Sequence, residues 1–126
     1  MPNIVVAEDE PVLCQLISEE LTKNGFTVTQ TENGREAWEV IQQVRPDLIL
    51  LDLLMPIMSG YDVLTELRAH PELKETLCIV ISNSGQIDDL NRAFACGADD
   101  VLIKADFNPD QLVAKVRELL SRRQVG

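Results

Sequence analysis

The chain has 126 residues, 45% hydrophobic and 25% charged, which fits one globular domain and excludes a disordered or collagen-like chain. Eleven Lys and Arg stand against 21 Asp and Glu, a net charge of −10 whose field repels nucleic-acid phosphates and anionic membrane surfaces. Direct nucleic-acid binding and membrane association are therefore not expected.

The first apolar run, Ile4 to Ala7, is continuous rather than alternating, as in a parallel strand covered on both faces, and Glu8, Asp9 and Glu10 follow it. A helix is expected next: Pro11 suits its first turn, Leu13, Leu16, Ile17 and Leu21 form one face, and Gly25 suits the position past its end. Phe26 to Gln30 alternates apolar with polar and reads as a half-covered edge strand. Asn33 with Glu36 looks like a capping pair opening a second helix, in which Trp38 reads as packing. Leu48 to Leu51 is the next continuous run and ends at Asp52.

A third helix is expected over Tyr61 to Ala69, with His70 a surface residue before Pro71. Cys78 to Ile81 leads to Ser82, a helix over Ile87 to Cys96 stops at Gly97, and Val101 to Ile103 leads to Lys104. Asn108-Pro109-Asp110-Gln111 opens the last helix. Five β-α units in succession predict a doubly wound α/β sheet with right-handed crossovers. Cys14, Cys78 and Cys96 are an odd set without a C-x-x-C pair, which reads as buried reduced thiols. Asp residues interrupt the apolar stretch 47–55 and no basic start precedes a signal-type segment, so a cytoplasmic location is expected.

In an open α/β sheet the ligand crevice lies beyond the carboxyl ends of the strands. Glu8, Asp9, Asp52, Ser82 and Lys104 would all meet at that rim. Each acid alone is accounted for by a solvated loop or a helix cap; four strand ends with three acids, a hydroxyl and a lysine are not. At about 4 Å and an effective dielectric near 20, each ionised carboxylate pair costs on the order of 4 kcal/mol, which a bound cation would relieve. Hard oxygen donors without His or Cys favour Mg²⁺ over zinc. A carboxylate can carry a phosphoryl group while a lysine and a hydroxyl hold its oxygens, so phosphoryl transfer to a carboxylate is the leading reading.

These residues resemble the receiver domains of two-component response regulators, including the stand-alone chemotaxis regulator. The likeness spans residues 1–126 through Val5-Val6-Ala7-Glu8-Asp9-Glu10, the segment from Asp52 to Gly60, Ile81-Ser82, Gly97-Ala98-Asp99-Asp100 and Lys104. It implies a flavodoxin-like sheet of five parallel strands in order 2-1-3-4-5 with five helices. It also implies that Asp52 is the phosphoacceptor, that Asp9, Asp52 and the Leu54 carbonyl bind Mg²⁺ with Glu8 acting through water, and that Ser82 and Lys104 contact the phosphoryl group. The donor would be a phosphohistidine on a sensor histidine kinase or a phosphotransfer protein. The domain would then be a signalling phosphoacceptor with Mg²⁺-dependent self-phosphorylation and self-dephosphorylation, not an enzyme with a separate substrate. Gly60 is expected to permit the turn before the third helix.

Three positions depart from the family pattern: Val101 where it has Tyr or Phe, Ala105 where a proline follows the lysine, and Asn83 where a small residue is common. Lys104-Ala105 should be trans, since a non-proline cis bond costs about 2.5 to 4 kcal/mol. One rival is a receiver-like adaptor that is not phosphorylated. A second is a Mg²⁺-dependent aspartate-nucleophile phosphatase, which wants an acid where Leu54 stands. A nucleotide- or flavin-binding domain is a third, but no glycine-rich phosphate loop follows the first run. The segment from Phe107 to Arg117 resembles the last helix of receivers joined to winged-helix transcription factors, which leaves open a stand-alone regulator, a piece of a longer one, and a homodimer.

Overall fold

A computed structural model describes residues 2–125. Its elements run β1 (Asn3–Ala7), α1 (Pro11–Lys23), β2 (Thr27–Thr31), α2 (Gly34–Val44), β3 (Leu48–Asp52), α3 (Gly60–Ala69), β4 (Leu77–Ser82), α4 (Ile87–Ala95), β5 (Asp100–Ile103), a 3₁₀ turn (Lys104–Asp106) and α5 (Pro109–Val125). All strand pairs are parallel and the sheet order is β2-β1-β3-β4-β5, as expected.

Successive side chains of a strand face opposite sides of the sheet, so a strand covered on both faces must be apolar at every position. Val5, Ala7, Ile49, Leu51, Cys78 and Val80 pack with Ala37, Ile41, Val63, Leu64, Leu67 and Ala93 of α2, α3 and α4. Ile4, Val6, Leu48, Leu50, Ile79 and Ile81 pack with Cys14, Ile17 and Leu21 of α1 and Leu112, Val113 and Val116 of α5. The two cores bury both sides of the three central strands.

Local signals set most element ends. Asn33 Oδ1 accepts from the Glu36 amide at 2.8 Å, and Asn108 Oδ1 from those of Asp110 and Gln111 at 2.9 and 3.2 Å. Gly25, at φ 94°, closes α1: its amide donates to the Thr22 carbonyl and that of Phe26 to the Leu21 carbonyl. Phe26 therefore belongs to the helix stop and buries its ring beside Leu21, and the edge strand starts one residue later than expected. Leu16 is also not where the sequence put it, being 50% exposed. At roughly 100° per residue it points about 200° from Cys14, and Cys14, Ile17, Ser18 and Leu21 form the buried stripe instead. β5 has one neighbour and is half-buried along its length, not covered on both faces. Cys96, the cap of α4, is only partly buried, while Cys14 and Cys78 are buried; all three thiols are free.

Arg68 fastens the opposite end of the sheet. Its guanidinium donates to the carbonyls of Gly97, Lys74 and Thr76 and to Asp99 Oδ2, which also accepts from the Cys78 amide at 2.8 Å. No helix among the described residues is long and apolar enough to cross a membrane.

Candidate functional site

The strand register brings the carboxyl ends of β1, β3, β4 and β5 level. Ala7 lies opposite Leu51, Asp52 opposite Ile81, and Ser82 opposite Ile103. Glu8 and Asp9 therefore leave β1 beside Asp52 at the end of β3, and Lys104 leaves β5 across the same rim. One carboxylate oxygen from each of Glu8, Asp9 and Asp52 falls within 4.8 Å of the others. Glu8 and Asp52 are buried, whereas Asp9 is exposed and opens the cluster to solvent.

Lys104 Nζ reaches across this cluster, 3.2 Å from Glu8 Oε2 and 3.3 Å from both Asp52 Oδ2 and Glu10 Oε2. Three acids thus share one lysine. Glu10 is the partner that sequence reasoning missed; the signal was a third acid directly after the pair, at the N-cap of α1. Glu8 Oε2 also accepts from the Glu10 amide, while Glu8 Oε1 is buried with no hydrogen-bond partner. An all-oxygen donor set, an excess of negative charge and one orphaned buried oxygen fit a hard divalent cation.

Burial pushes the Glu8 carboxyl from its ordinary 4.5 up to about 7, opposed by the Glu10 amide and reinforced by the Asp52 charge. Asp52 is raised too, by burial first and then by Asp9. Burial alone would lower Lys104, but the charges of Asp52 and Glu8 outweigh it and hold the ammonium above its ordinary value. A folded state that keeps a proton the unfolded chain has released loses stability as pH rises. The Glu8 contribution is complete below pH 4.5 and is lost as pH climbs through about 7. With divalent cations chelated, Tm should fall between about pH 5.5 and about pH 7.5, and Glu8→Gln should flatten the fall. Thermal melts check this; an unchanged slope in Glu8→Gln would assign it to other groups.

Two other expected residues are differently engaged. The Leu54 amide donates to Asp52 Oδ1 at 3.2 Å, and the Leu54 side chain is 63% exposed. Ser82 is buried, but its hydroxyl is turned into its own loop, donating to the Ser84 carbonyl at 3.0 Å and accepting from the Ser84 amide at 3.1 Å. Beside it lies a cavity of about 180 Å³ lined by Leu53, Leu54, Tyr61, Ser82, Asn83, Ser84, Asp89 and Arg92.

Gly60 permits the turn before α3, as expected, through a close approach of backbone. Gly60 is not in the left-handed region; a Cβ there would sit 2.1 Å from the Asp52 carbonyl oxygen. Its amide donates to the Leu53 carbonyl at 2.9 Å, so α3 begins in direct contact with the strand end that carries Asp52. The Lys104–Ala105 bond is trans, as expected, and no cis peptide occurs among the described residues. His70, expected at the surface, is half-buried and meets Trp38 edge-on.

Known proteins are similar to this chain over nearly all of its length. The RpaA protein of Synechocystis, named a DNA-binding dual master transcriptional regulator, is 35% identical over 97% of this chain and 50% of its own length. The phosphate regulon regulatory protein PhoB of Rhizobium meliloti is likewise 35% identical, over 97% of this chain and 53% of its own. The chain thus spans about half the length of these curated relatives. Among solved structures, the receiver domain of the Francisella response regulator 1452 superimposes with a TM-score of 0.90 at 29% identity, covering 98% of this chain and 99% of that one. CheY4 of Vibrio cholerae, a chemotaxis response regulator, gives 0.88 at 27% identity over 94% and 98%. The sequence profile of the response regulator receiver domain matches residues 4–117. With strand order, rim and sequence in agreement, the chain belongs to the response regulator receiver domain family.

Proposed function

We propose that Asp52 accepts a phosphoryl group from a phosphohistidine of a sensor histidine kinase or phosphotransfer protein, in a cytoplasmic signalling relay. The observation that carries this reading is the buried Asp52 carboxylate held 3.3 Å from Lys104 Nζ, with Glu8 and Asp9 against it. One Asp52 oxygen bonds to the donor phosphorus as the phosphorus–nitrogen bond breaks. The electron pair leaves with the donor imidazole, which takes up a proton. Lys104 holds a phosphoryl oxygen, and Ser82 turns from Ser84 to donate to another.

Asp9, Asp52 and the Leu54 carbonyl would hold Mg²⁺, with Glu8 acting through water. When bound, the ion supplies positive charge to the phosphoryl oxygens and to the crowded carboxylates. Asp9 is exposed and leaves the cluster open to a donor, while Glu8 and Asp52 are themselves buried from bulk water. An aspartate-nucleophile phosphatase would need an acid two residues past the nucleophile, and Leu54 has none to offer. The transcriptional roles of RpaA and PhoB are those of proteins about twice as long. For this chain we propose only that phosphorylation changes which protein docks on it.

Incubation with acetyl phosphate and Mg²⁺ should add one phosphoryl mass to the intact protein and none to Asp52→Asn. No gain in the wild type would favour the adaptor reading, and a gain that survives Asp52→Asn would move the acceptor elsewhere.

A further inference from the structure

We propose that Tyr61 and Arg92 form a latch that holds α4 against α3 in the unphosphorylated protein and opens when Ser82 turns. This rests on the reading of Asp52 as the phosphoacceptor. The Arg92 guanidinium carbon lies 3.8 Å from the centre of the Tyr61 ring, a close cation–π contact between the start of α3 and the last turn of α4. Both residues line the 180 Å³ cavity whose other walls are Leu53 and Leu54, just after Asp52, the segment 82–84 and Asp89. The latch thus spans the space between the acceptor strand end and the hydroxyl that must move.

α4 has little else to hold it. Ala93 is its one buried residue, Ile87 is 71% exposed and Phe94 47%, and Gln86 gives no side-chain cap. The loop that enters it is tied by Ser82 and Ser84: the Ser82 hydroxyl bonds Ser84, and Ser84 Oγ accepts from the Gln86 amide at 3.1 Å. Once the Ser82 hydroxyl donates to a phosphoryl oxygen, the Ser84 carbonyl loses its donor and the chain leading into α4 is released. Val101, partly buried on the facing edge of the sheet, has no ring with which to take over the contact.

Arg92 also has a second place to go. Asp88 and Asp89 stand four and three residues before it on the same helix, and Asp89 lines the same cavity. An ion pair at that spacing and an exposed cation–π contact are of similar strength. The guanidinium can therefore exchange the ring for a carboxylate at little cost, which gives α4 two arrangements for phosphorylation to choose between.

A latch that favours the unphosphorylated arrangement must oppose phosphoryl binding by the same factor. Titration of the Mg²⁺-loaded full chain with beryllofluoride, a phosphoryl mimic, followed by backbone NMR, tests this. Tyr61→Leu and Arg92→Gln should each bind the mimic roughly three- to tenfold more tightly than wild type, and the double variant no more tightly than either. In the free single variants the α4 amides should already be shifted toward their mimic-bound positions, and Tyr61→Phe, which keeps the ring, should behave as wild type. Wild-type affinity in both single variants, or additive effects in the double, would overturn the latch. A wild type that neither binds the mimic nor takes up a phosphoryl group would overturn the Asp52 reading and the latch with it.

Discussion

Asp9→Asn should weaken Mg²⁺ binding by roughly ten- to a hundredfold while making the cation-free protein more stable, because one charge does both things. Glu8, Asp9 and Asp52 present oxygens within 4.8 Å of each other. At that distance and an effective dielectric near 20, an ionised pair costs about 3.5 kcal/mol. Part of that is relieved in the cation-free protein by protonation of Glu8, which burial first and the Asp52 charge second push up to about 7. Removing the Asp9 charge removes part of the repulsion and part of the attraction for a cation together. Calorimetric titration measures the first effect. Thermal melts with and without Mg²⁺ measure the second: the variant should melt higher in chelator and gain less from the ion. Unchanged Mg²⁺ affinity would contradict the proposed ligand set.

Gly60→Ala should be among the most damaging single substitutions in the chain, although it adds one methyl group. The added Cβ would stand 2.1 Å from the Asp52 carbonyl oxygen and 2.7 Å from the Leu53 Cα, both backbone atoms that no side-chain rotation can clear. Either the end of β3 or the start of α3 has to move, which also stretches the bond from the Gly60 amide to the Leu53 carbonyl. Overpacking of this kind with a weakened hydrogen bond costs about 3 kcal/mol, or roughly 10 °C in Tm for a chain of this size. The displaced strand end carries Asp52, so phosphoryl uptake should fall as well. A variant that melts within about 2 °C of wild type would show that the loop gives way freely.

The rim was legible in the sequence because its logic is topological. Short continuous apolar runs read as strands of a parallel sheet, covered on both faces except at its edge, and parallel strands deliver the residues that follow them to one edge. Glu8, Asp9, Asp52 and Lys104 needed nothing more to be brought together. What stayed hidden depended on side-chain direction or on partners far away in the chain. Phe26 keeps the strand alternation, yet its amide is spent on the Leu21 carbonyl, and a helix stop and a strand start look alike in one dimension. Ser82 was found at the right strand end, but no pattern shows that its hydroxyl faces Ser84. The hold of Glu10 on Lys104 joins residues 94 positions apart, and the contact of Arg92 with Tyr61 joins two helices with no common motif. The glycine at position 60 was noticed, but the close approach that requires it depends on the backbone of Asp52 beside it.

Where the phosphoryl group sits tests the central claim most directly. An aspartyl phosphate is an acyl phosphate, so borohydride reduces it to an alcohol and leaves homoserine in place of the aspartate. After incubation with acetyl phosphate and Mg²⁺, reduction and peptide mass spectrometry should find homoserine at position 52 alone, and none when phosphodonor or Mg²⁺ is withheld. A reduced side chain at Asp9 or Glu8, or a phosphate that survives reduction on Ser82, would contradict it.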